Sequence, residues 1–436
     1  MVLQLNKKFI IASMGALFTS LYADTDVLEG INDWSVSGNL KMGYVNYDYG
    51  NPPPSSGIIN KGHTDSRGFY TIPKVSLLTP KYAGFSAKVT VAGATDFGIN
   101  DPAYESRNWV FSPSDLESYI ILQELFVNYT DAQHNLTIGR YELETPLLEP
   151  DDYYMLADTY ETISYINSSI NSVDLYAGYV ARMAGVWDSG ANGTEFHSMS
   201  ETSFVDQRDK DNADDSGLIY GAIEYKDDKN KAKVWEYYVV HLYNIFLAQY
   251  DFSDSVGGLS YNMALQFTNY KEVGRLASNN YTNIDYSIYA LKFDGAFKNG
   301  FEFATGASKF SNGEGIGSTL SAWGGFPTFT YGYIFNWFET GDLRNARLYK
   351  AELAYDLSKI GLNNSWIGYR YTYYDLDSDY STTVSGDPQS SMKLNGLRFK
   401  YNASGNGLYF IANYEHRVLS NEPNAYGYRL IGGYKF

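Results

Sequence analysis

The sequence of 436 residues contains no cysteine. A disulfide framework, a thiolate metal site and a cysteine nucleophile are therefore excluded. Histidine is also scarce, and the five histidines show no helical metal-binding spacing. Motifs for a P-loop, a Gly-x-Ser-x-Gly nucleophile elbow and a His-Glu-x-x-His zinc site are missing as well. The sequence thus gives no reason to expect a cofactor or a familiar catalytic site.

The N-terminus has the charged, apolar and cleavage-site order of a secretory signal peptide. Lys7 and Lys8 precede the apolar run 9–18, and Ala23 ends the short stretch that follows. We therefore predict a signal peptide at residues 1–23, cleaved after Ala23. A buried N-terminal helix is the alternative interpretation.

The predicted mature chain, a single domain of residues 24–436, lacks the run of about 18–20 apolar residues that a membrane-spanning helix requires. The nearest candidate, 239–248, is interrupted by His241 and Asn244. An exported chain of this kind is either soluble or crosses a membrane with strands. Its net charge of −17 becomes −19 when the two lysines of the signal peptide leave. An acidic chain without a basic run does not favour nucleic acid as a partner.

Apolar and polar residues alternate with a period of two through most of the mature chain. Near its start, Val36, Leu40, Met42 and Tyr44 share one face, whereas Lys41 lies on the other. A strand between lipid and water must have this pattern, although a half-buried soluble sheet has it too. We count about eighteen such segments. Each is close to the about 9–11 residues that cross a bilayer at a tilt.

Short and long connections alternate between these segments. Turns such as 80–84, 131–134 and 358–362 are short, whereas 183–216 and 311–344 are long. Outer-membrane barrels have short periplasmic turns and long extracellular loops, and a soluble sandwich has no reason for this asymmetry. We therefore predict an all-β fold, a transmembrane antiparallel β-barrel of about 18 strands in the outer membrane of a Gram-negative bacterium. The 42 tyrosines suit membrane interfaces and wet pores.

The last segment, 426–436, alternates apolar and polar residues and ends on Phe436. A terminal strand of this kind is the pattern that barrel-assembly machinery recognises, so we predict that machinery as a partner. The other expected partners are outer-membrane lipid and small hydrophilic solutes. Both a monomer and a homotrimer stay open.

Residues 139–160, GRYELETPLLEPDDYYMLADTY, resemble the third-loop region of the OprD family of porins. Residues 235–253, WEYYVVHLYNIFLAQYDFS, resemble that family's tight extracellular hairpin. The family often has a basic residue at the position of Tyr154 and a proline at that of Ala157, which leaves the substrate open. The resemblance implies an eighteen-stranded barrel with an inward-folded third loop. It also implies passive uptake of small carboxylates or amino acids along a ladder of basic residues.

Successive residues of a strand face opposite sides of the wall. Residues that alternate with the apolar, lipid-facing set should therefore face the pore, and several of them are basic. An unpaired Arg or Lys on the lipid face at the midplane would cost about 2–4 kcal/mol, so the inward orientation costs less. The alternative is that these residues only neutralise carboxylates of the barrel. The predicted basic ladder consists of Arg182, Lys350, Arg370, Arg398, Lys400, Arg429 and Lys435.

Acidic side chains of the third loop would face this wall if the loop folds inward. Opposed charges set a transverse field that polar solutes tolerate better than apolar ones. The predicted acidic set consists of Glu144, Glu149, Asp151, Asp152 and Asp158. Asp151 and Asp152 have two other interpretations, capping of a short helix and Ca²⁺ binding. We rank capping first, the pore field second and the metal third.

These features together predict a porin, a passive diffusion channel for small hydrophilic solutes, and not an enzyme. Two alternatives stay open. A barrel hydrolase would use a Ser/His/acid cluster that meets only in space at the rim. A surface adhesin or receptor would bind through 183–216 and 311–344.

Overall fold

The computed structural model describes part of the chain, and nothing below concerns the remainder. The described residues are 34–50, 65–105, 118–150, 156–185, 196–202, 216–274, 284–314, 323–336, 340, 342–382, 386–403 and 407–436. In this part of the chain, no helix is long and apolar enough to cross a membrane. The predicted signal peptide lies outside it, so its cleavage stays a prediction.

Eighteen antiparallel strands form a closed barrel in the described residues. The first nine are β1 (Ser35–Asp48), β2 (Ser66–Leu78), β3 (Phe85–Ala94), β4 (Tyr119–Thr130), β5 (His134–Tyr141), β6 (Thr159–Ile170), β7 (Val173–Ala184), β8 (Leu218–Lys226) and β9 (Asn230–Val239). The others are β10 (Tyr243–Val256), β11 (Leu259–Glu272), β12 (Asp285–Phe297), β13 (Phe301–Phe310), β14 (Arg347–Asp356), β15 (Ser365–Asp375), β16 (Ser391–Asn402), β17 (Leu408–Leu419) and β18 (Ala425–Lys435). Each strand pairs with the next, and β18 pairs with β1. The predicted antiparallel barrel of about 18 strands is confirmed.

Few other elements accompany the barrel in the described part. A two-residue strand, His197–Ser198, pairs with the end of β7. Helical turns occur at Pro102–Glu105 and Met199–Thr202, and a 3-10 helix, Leu357–Ile360, lies between β14 and β15. The barrel wall therefore carries nearly all of the regular structure.

Aspartates close two of the short turns. The backbone N–H groups of Gln133 and His134 each donate to Asp131 at 2.8 Å, and they hold the pKa of Asp131 below its usual value. Asp227 accepts from the backbone N–H of Lys229 at 2.8 Å, and its pKa is lowered for the same reason. Side chains that satisfy turn donors in this way allow tight hairpins.

Side chains alternate between the lipid side and the interior. In β11, Met263 and Leu265 expose 46% and 63% of their surface, whereas Ala264 and Gln266 expose 2% and 8%. The exposed row is apolar, as lipid requires, and the other row packs inside the barrel. The predicted alternation is confirmed for this strand, and it fixes which residues can reach the interior.

Candidate functional site

The described parts of the third loop, residues 142–150 and 156–158 between β5 and β6, fold into the barrel. Leu148 is fully buried. The hydroxyl of Tyr237 on β9 donates to Thr145 Oγ1 at 3.0 Å. On β4, Gln123 Nε2 donates to the carbonyl oxygen of Ala157 at 3.2 Å. The loop therefore reaches from its own strands to a distant part of the wall.

A second loop segment lies inside the barrel. It consists of residues 323–336, from the connection between β13 and β14, and is called the inner segment below. The backbone N–H of Glu149 donates to Trp323 O at 3.1 Å, and that of Gly325 donates to Leu147 O at 3.2 Å. A Cβ atom at Gly325 would overlap the backbone of Leu147, so glycine permits this approach. The third loop and the inner segment thus form one connected structure.

One wall carboxylate accepts three backbone N–H groups of the inner segment. Glu415 on β17 is fully buried. It accepts the backbone N–H groups of Tyr333 and Ile334 at 2.8 Å each and that of Phe335 at 2.7 Å. A Cβ at Gly396 on the neighbouring strand would lie 2.7 Å from the ring of Tyr333 and 2.9 Å from Glu415 Oε1. Glycine at this position makes room for the segment.

Arg370 on β15 also binds the inner segment, and it exposes only 8% of its surface. Its Nε donates to Glu352 Oε2 at 2.6 Å. Its Nη1 donates to the carbonyl oxygens of Tyr331 and Gly332 at 3.1 and 3.2 Å. The hydroxyl of Tyr333 donates to Glu352 Oε1 at 3.0 Å. These contacts give Arg370 a structural role beside any role toward solutes.

Two further predicted cations lie against rings of the inner segment. The Arg398 guanidinium is 4.0 Å from the ring centroid of Tyr333, and its Nε donates to Asn413 Oδ1 at 2.7 Å. Lys350 Nζ is 5.6 Å from the ring centroid of Tyr331. Both distances lie within the reach of a cation–π contact. The segment therefore has positive charge directly beside it.

The remaining inward cations follow the wall toward the seam between β18 and β1. Lys400 Nζ is 5.1 Å from the ring centroid of Trp366, and Lys435 Nζ is 5.4 Å from that of Tyr409. Arg429 is buried on the inward face of β18. The structure therefore places all of the predicted ladder except Arg182 on the inward face. Their role toward solutes stays a prediction.

The prediction that Arg182 faces the pore does not match its placement. Glu161 on β6 pairs with Arg182, but the next residue, Thr162, pairs with Val180, so β7 has one extra residue at this point. Glu161 shares the outward face of Ile163, which is 49% exposed. The β-bulge reverses the parity of β7 and brings Arg182 to that outer face near the rim.

The predicted acidic residues have different surroundings. Glu144 and Glu149 are exposed on the third loop, where they can face the lumen. Asp158 is fully buried and adjoins Gly185, so it does not line open space. Asp151 and Asp152 lie outside the described residues, so capping and Ca²⁺ binding stay untested. In the described part of the chain, no cluster of acidic or histidine side chains is suited to a metal ion.

Another group of lysines, absent from the predicted ladder, lines the wall near β1 to β3. Lys74 pairs with Glu142, and Lys88 Nζ lies 2.6 Å from Glu124 Oε2. Together with Lys41, which the alternation placed on the polar face, these lysines border a cavity of about 420 Å³. The same parity rule, extended to β2 and β3, would have found them.

The larger interior cavity lies beside the inner segment. It has a volume of about 950 Å³ and extends from the β8–β9 turn to Arg370. Its lining combines aromatic rings with charges of both signs: the rings of Phe329, Tyr331 and Trp366, the cations Lys229, Lys292, Lys350 and Arg370, and the carboxylates Asp228, Asp254, Asp294, Glu302 and Glu352. Lys292 is paired with Asp294 at 2.7 Å. Lys229 and Arg370 are also paired, with Asp254 and Glu352. In the described residues Lys350 forms no ion pair, so this lysine and the rings beside it suit a small solute that has an anionic group and an apolar body.

A closed barrel of eighteen antiparallel strands with loops packed inside it is the fold of an outer-membrane porin. No protein-family model and no curated protein matches the chain. Solved structures of OprD/Occ porins do match. OccK9 (OpdG) of Pseudomonas aeruginosa has a TM-score of 0.74 at 13% identity. OpdK of the same organism, solved with vanillate, has 0.72 at 13%, and a BenF-like porin from Pseudomonas fluorescens Pf-5 has 0.73 at 12%. Each comparison covers 93% of this chain and 99% of the other. The chain has the OprD/Occ porin fold, as the third-loop resemblance implied.

Proposed function

We propose that this protein is a passive outer-membrane channel that prefers small carboxylates and amino acids. The observation that carries the proposal is a stripe of cations on nearby strands, formed by Lys350 on β14 and by Arg398 and Lys400 on β16. In the described residues, these three cations contact aromatic rings and an asparagine but form no ion pair with a carboxylate. Their charge is therefore available to a passing anion. A channel of this kind needs no catalytic residue, and we assign none.

The stripe supports the proposal through its electrostatic potential. A row of like charges on a low-dielectric wall raises the local concentration of counter-ions. A guanidinium such as that of Arg398 also offers parallel N–H donors that match both oxygens of a carboxylate. Passage requires several contacts of this kind, each weak enough to release the solute.

The larger cavity supports a solute with an apolar body. OpdK was solved with vanillate, which is a small aromatic carboxylate. A solute of that chemistry matches Lys350 together with the rings of Phe329, Tyr331 and Trp366 in this chain. Small organic acids are therefore the first solutes to test.

The test replaces the stripe by Lys350→Gln, Arg398→Gln and Lys400→Gln together. Glutamine keeps hydrogen bonding but removes three charges. We expect organic-acid flux into proteoliposomes to fall several-fold, most strongly at low salt, where screening is weakest.

The matched control replaces three exposed lysines of the short turns, Lys81, Lys298 and Lys359, by glutamine. It also removes three charges but leaves the wall intact, so its organic-acid flux should stay close to that of the wild type. Equal low-salt flux in the stripe variant and the control would contradict the preference for anions.

We also propose that barrel-assembly machinery recognises β18 through Phe436. The backbone N–H of Phe436 donates to Gly38 O at 3.0 Å, and its carbonyl accepts from Gly38 N–H at 2.9 Å. The last residue is therefore part of the seam that closes the barrel. Deleting Phe436 should lower the yield of folded barrel in cells more than the yield of refolding in detergent. Equal losses in the two assays would contradict recognition.

A further inference from the structure

The outward face of β9 to β14 contains a groove that the channel does not use. Its volume is about 710 Å³, which lies in the about 300–1,000 Å³ range of small-ligand sites. Phe267 and Tyr289, with ring centroids 5.2 Å apart, and Tyr349 stand along it. The small side chains of Ala248, beside Phe267, and Ala307, beside Tyr349, also line it. The result is an apolar trough on the lipid side of the wall.

Two cations lie at the extracellular end of this groove. Lys309 is the penultimate residue of β13, and Arg347 is the first residue of β14. They are direct register partners, so their side chains emerge side by side on the outward face. Both are exposed and both line the groove. Their position at the strand ends corresponds to the headgroup level of the outer leaflet.

Like charges directly opposite each other on one face of an antiparallel pair destabilise the pairing. Only part of this repulsion is offset in the described residues, since Asp375 Oδ2 lies 3.9 Å from Arg347 Nη1. Lys309 Nζ reaches the carbonyl oxygen of Asn345 at 3.5 Å. An anion between the two cations would remove the repulsion that remains.

A third outward cation extends the positive patch. Lys393 is exposed on β16 and is the register partner of Tyr373. Tyr373 stacks on Tyr349, with ring centroids 6.4 Å apart. A ring pair thus connects the groove to this lysine. The patch combines cations at the headgroup level with apolar surface directly below them.

We propose that this groove binds a phosphorylated, multiply acylated glycolipid of the outer leaflet. A phosphate group contacts Lys309 and Arg347, and one acyl chain lies in the trough beside Phe267 and Tyr289. Charge complementarity selects this occupant over an uncharged lipid. It also disfavours a two-fold contact with a second copy of the chain, which would present the same cations.

The experiment measures binding of two forms of one glycolipid to the purified barrel by native mass spectrometry. One form carries its phosphates, and the other has been dephosphorylated. The test variant is Lys309→Gln with Arg347→Gln. The matched control is Lys298→Gln with Lys359→Gln, which removes two exposed charges from the short turns at the opposite end. Heat-modifiable migration and unchanged single-channel conductance establish that each variant is folded.

We expect the wild type and the control to bind the phosphorylated form about tenfold more tightly, since hydrogen bonds to charged groups are the strong ones. The Lys309/Arg347 variant should lose this preference. Equal binding of both forms by the wild type would overturn the proposal, and so would a preference that survives in the double variant. An oligomer of the wild type that excludes both lipids would also overturn it, because a second copy would then cover the groove.

Discussion

Glu415→Gln tests whether one carboxylate holds the inner segment in the lumen. The substitution keeps the shape of the side chain but replaces one oxygen by an amino group. Ile334 and Phe335 share Oε2, whereas Tyr333 uses Oε1. In glutamine, the amide oxygen can accept at most the two hydrogen bonds from Ile334 and Phe335. The amino group then faces the N–H of Tyr333, and two donors cannot form a hydrogen bond with each other.

The expected loss follows from these contacts. A hydrogen bond to a charged group contributes about 1.5–3 kcal/mol, and a neutral one about 0.5–1.5 kcal/mol. Losing the bond from Tyr333 and weakening those from Ile334 and Phe335 should cost about 3 kcal/mol of docking free energy. A loss of this size lowers the ratio of docked to undocked inner segments roughly a hundredfold.

Single-channel recording measures the consequence. We expect Glu415→Gln to show larger or fluctuating conductance, because the inner segment leaves its place against β17. Glu302→Gln is the matched control. It removes one interior carboxylate that accepts from Trp366 Nε1 at 2.9 Å and, in the described residues, forms no hydrogen bond with the segment. A folded Glu415→Gln barrel with the steady wild-type conductance would refute this reasoning.

Three further predictions concern the loops and the N-terminus. Deleting 149–158 should raise single-channel conductance, and an unchanged value in a folded variant would place the loop outside the narrow passage. Gly325→Val should also raise conductance, because its side chain would overlap the backbone of Leu147 and separate the two loops; Gly221→Val, on β8, where an added Cβ would lie no closer than 3.8 Å to a neighbouring atom, is the control for folding. Peptide sequencing of outer-membrane material should find Asp24 as the first residue, and recovery of the uncleaved chain would contradict the signal peptide.

Most of the wall could be predicted because it depends on local pattern. Successive residues of a strand face opposite sides of the barrel wall. The alternation of polar and apolar residues in the sequence therefore predicted that Arg370, Arg398 and Arg429 face inward. Arg182 was misplaced because a single extra residue in β7 reverses parity. A bulge of this kind leaves no mark in the alternation, since its cause is the pairing with β6.

The interior could be predicted only in part. The third loop has a motif, and its inward fold was expected from that resemblance. The inner segment has none, and the connection 311–344 was considered as a surface-binding loop. Its position depends on Glu415 and Arg370, which are distant in sequence. The structural role of Arg370 could not be predicted for the same reason. Glu352 and the carbonyl oxygens of the inner segment come close to Arg370 only in the folded barrel.

Planar-bilayer recording of the wild-type protein across a salt gradient tests whether the barrel is an open pore that prefers anions. We expect discrete conductance steps with a reversal potential that shows anion preference. This preference should weaken at high salt, because screening shortens the reach of Lys350, Arg398 and Lys400. A protein that folds as a barrel but gives no conductance steps would not be a pore, and steps that favour cations at low salt would rule out the anion preference.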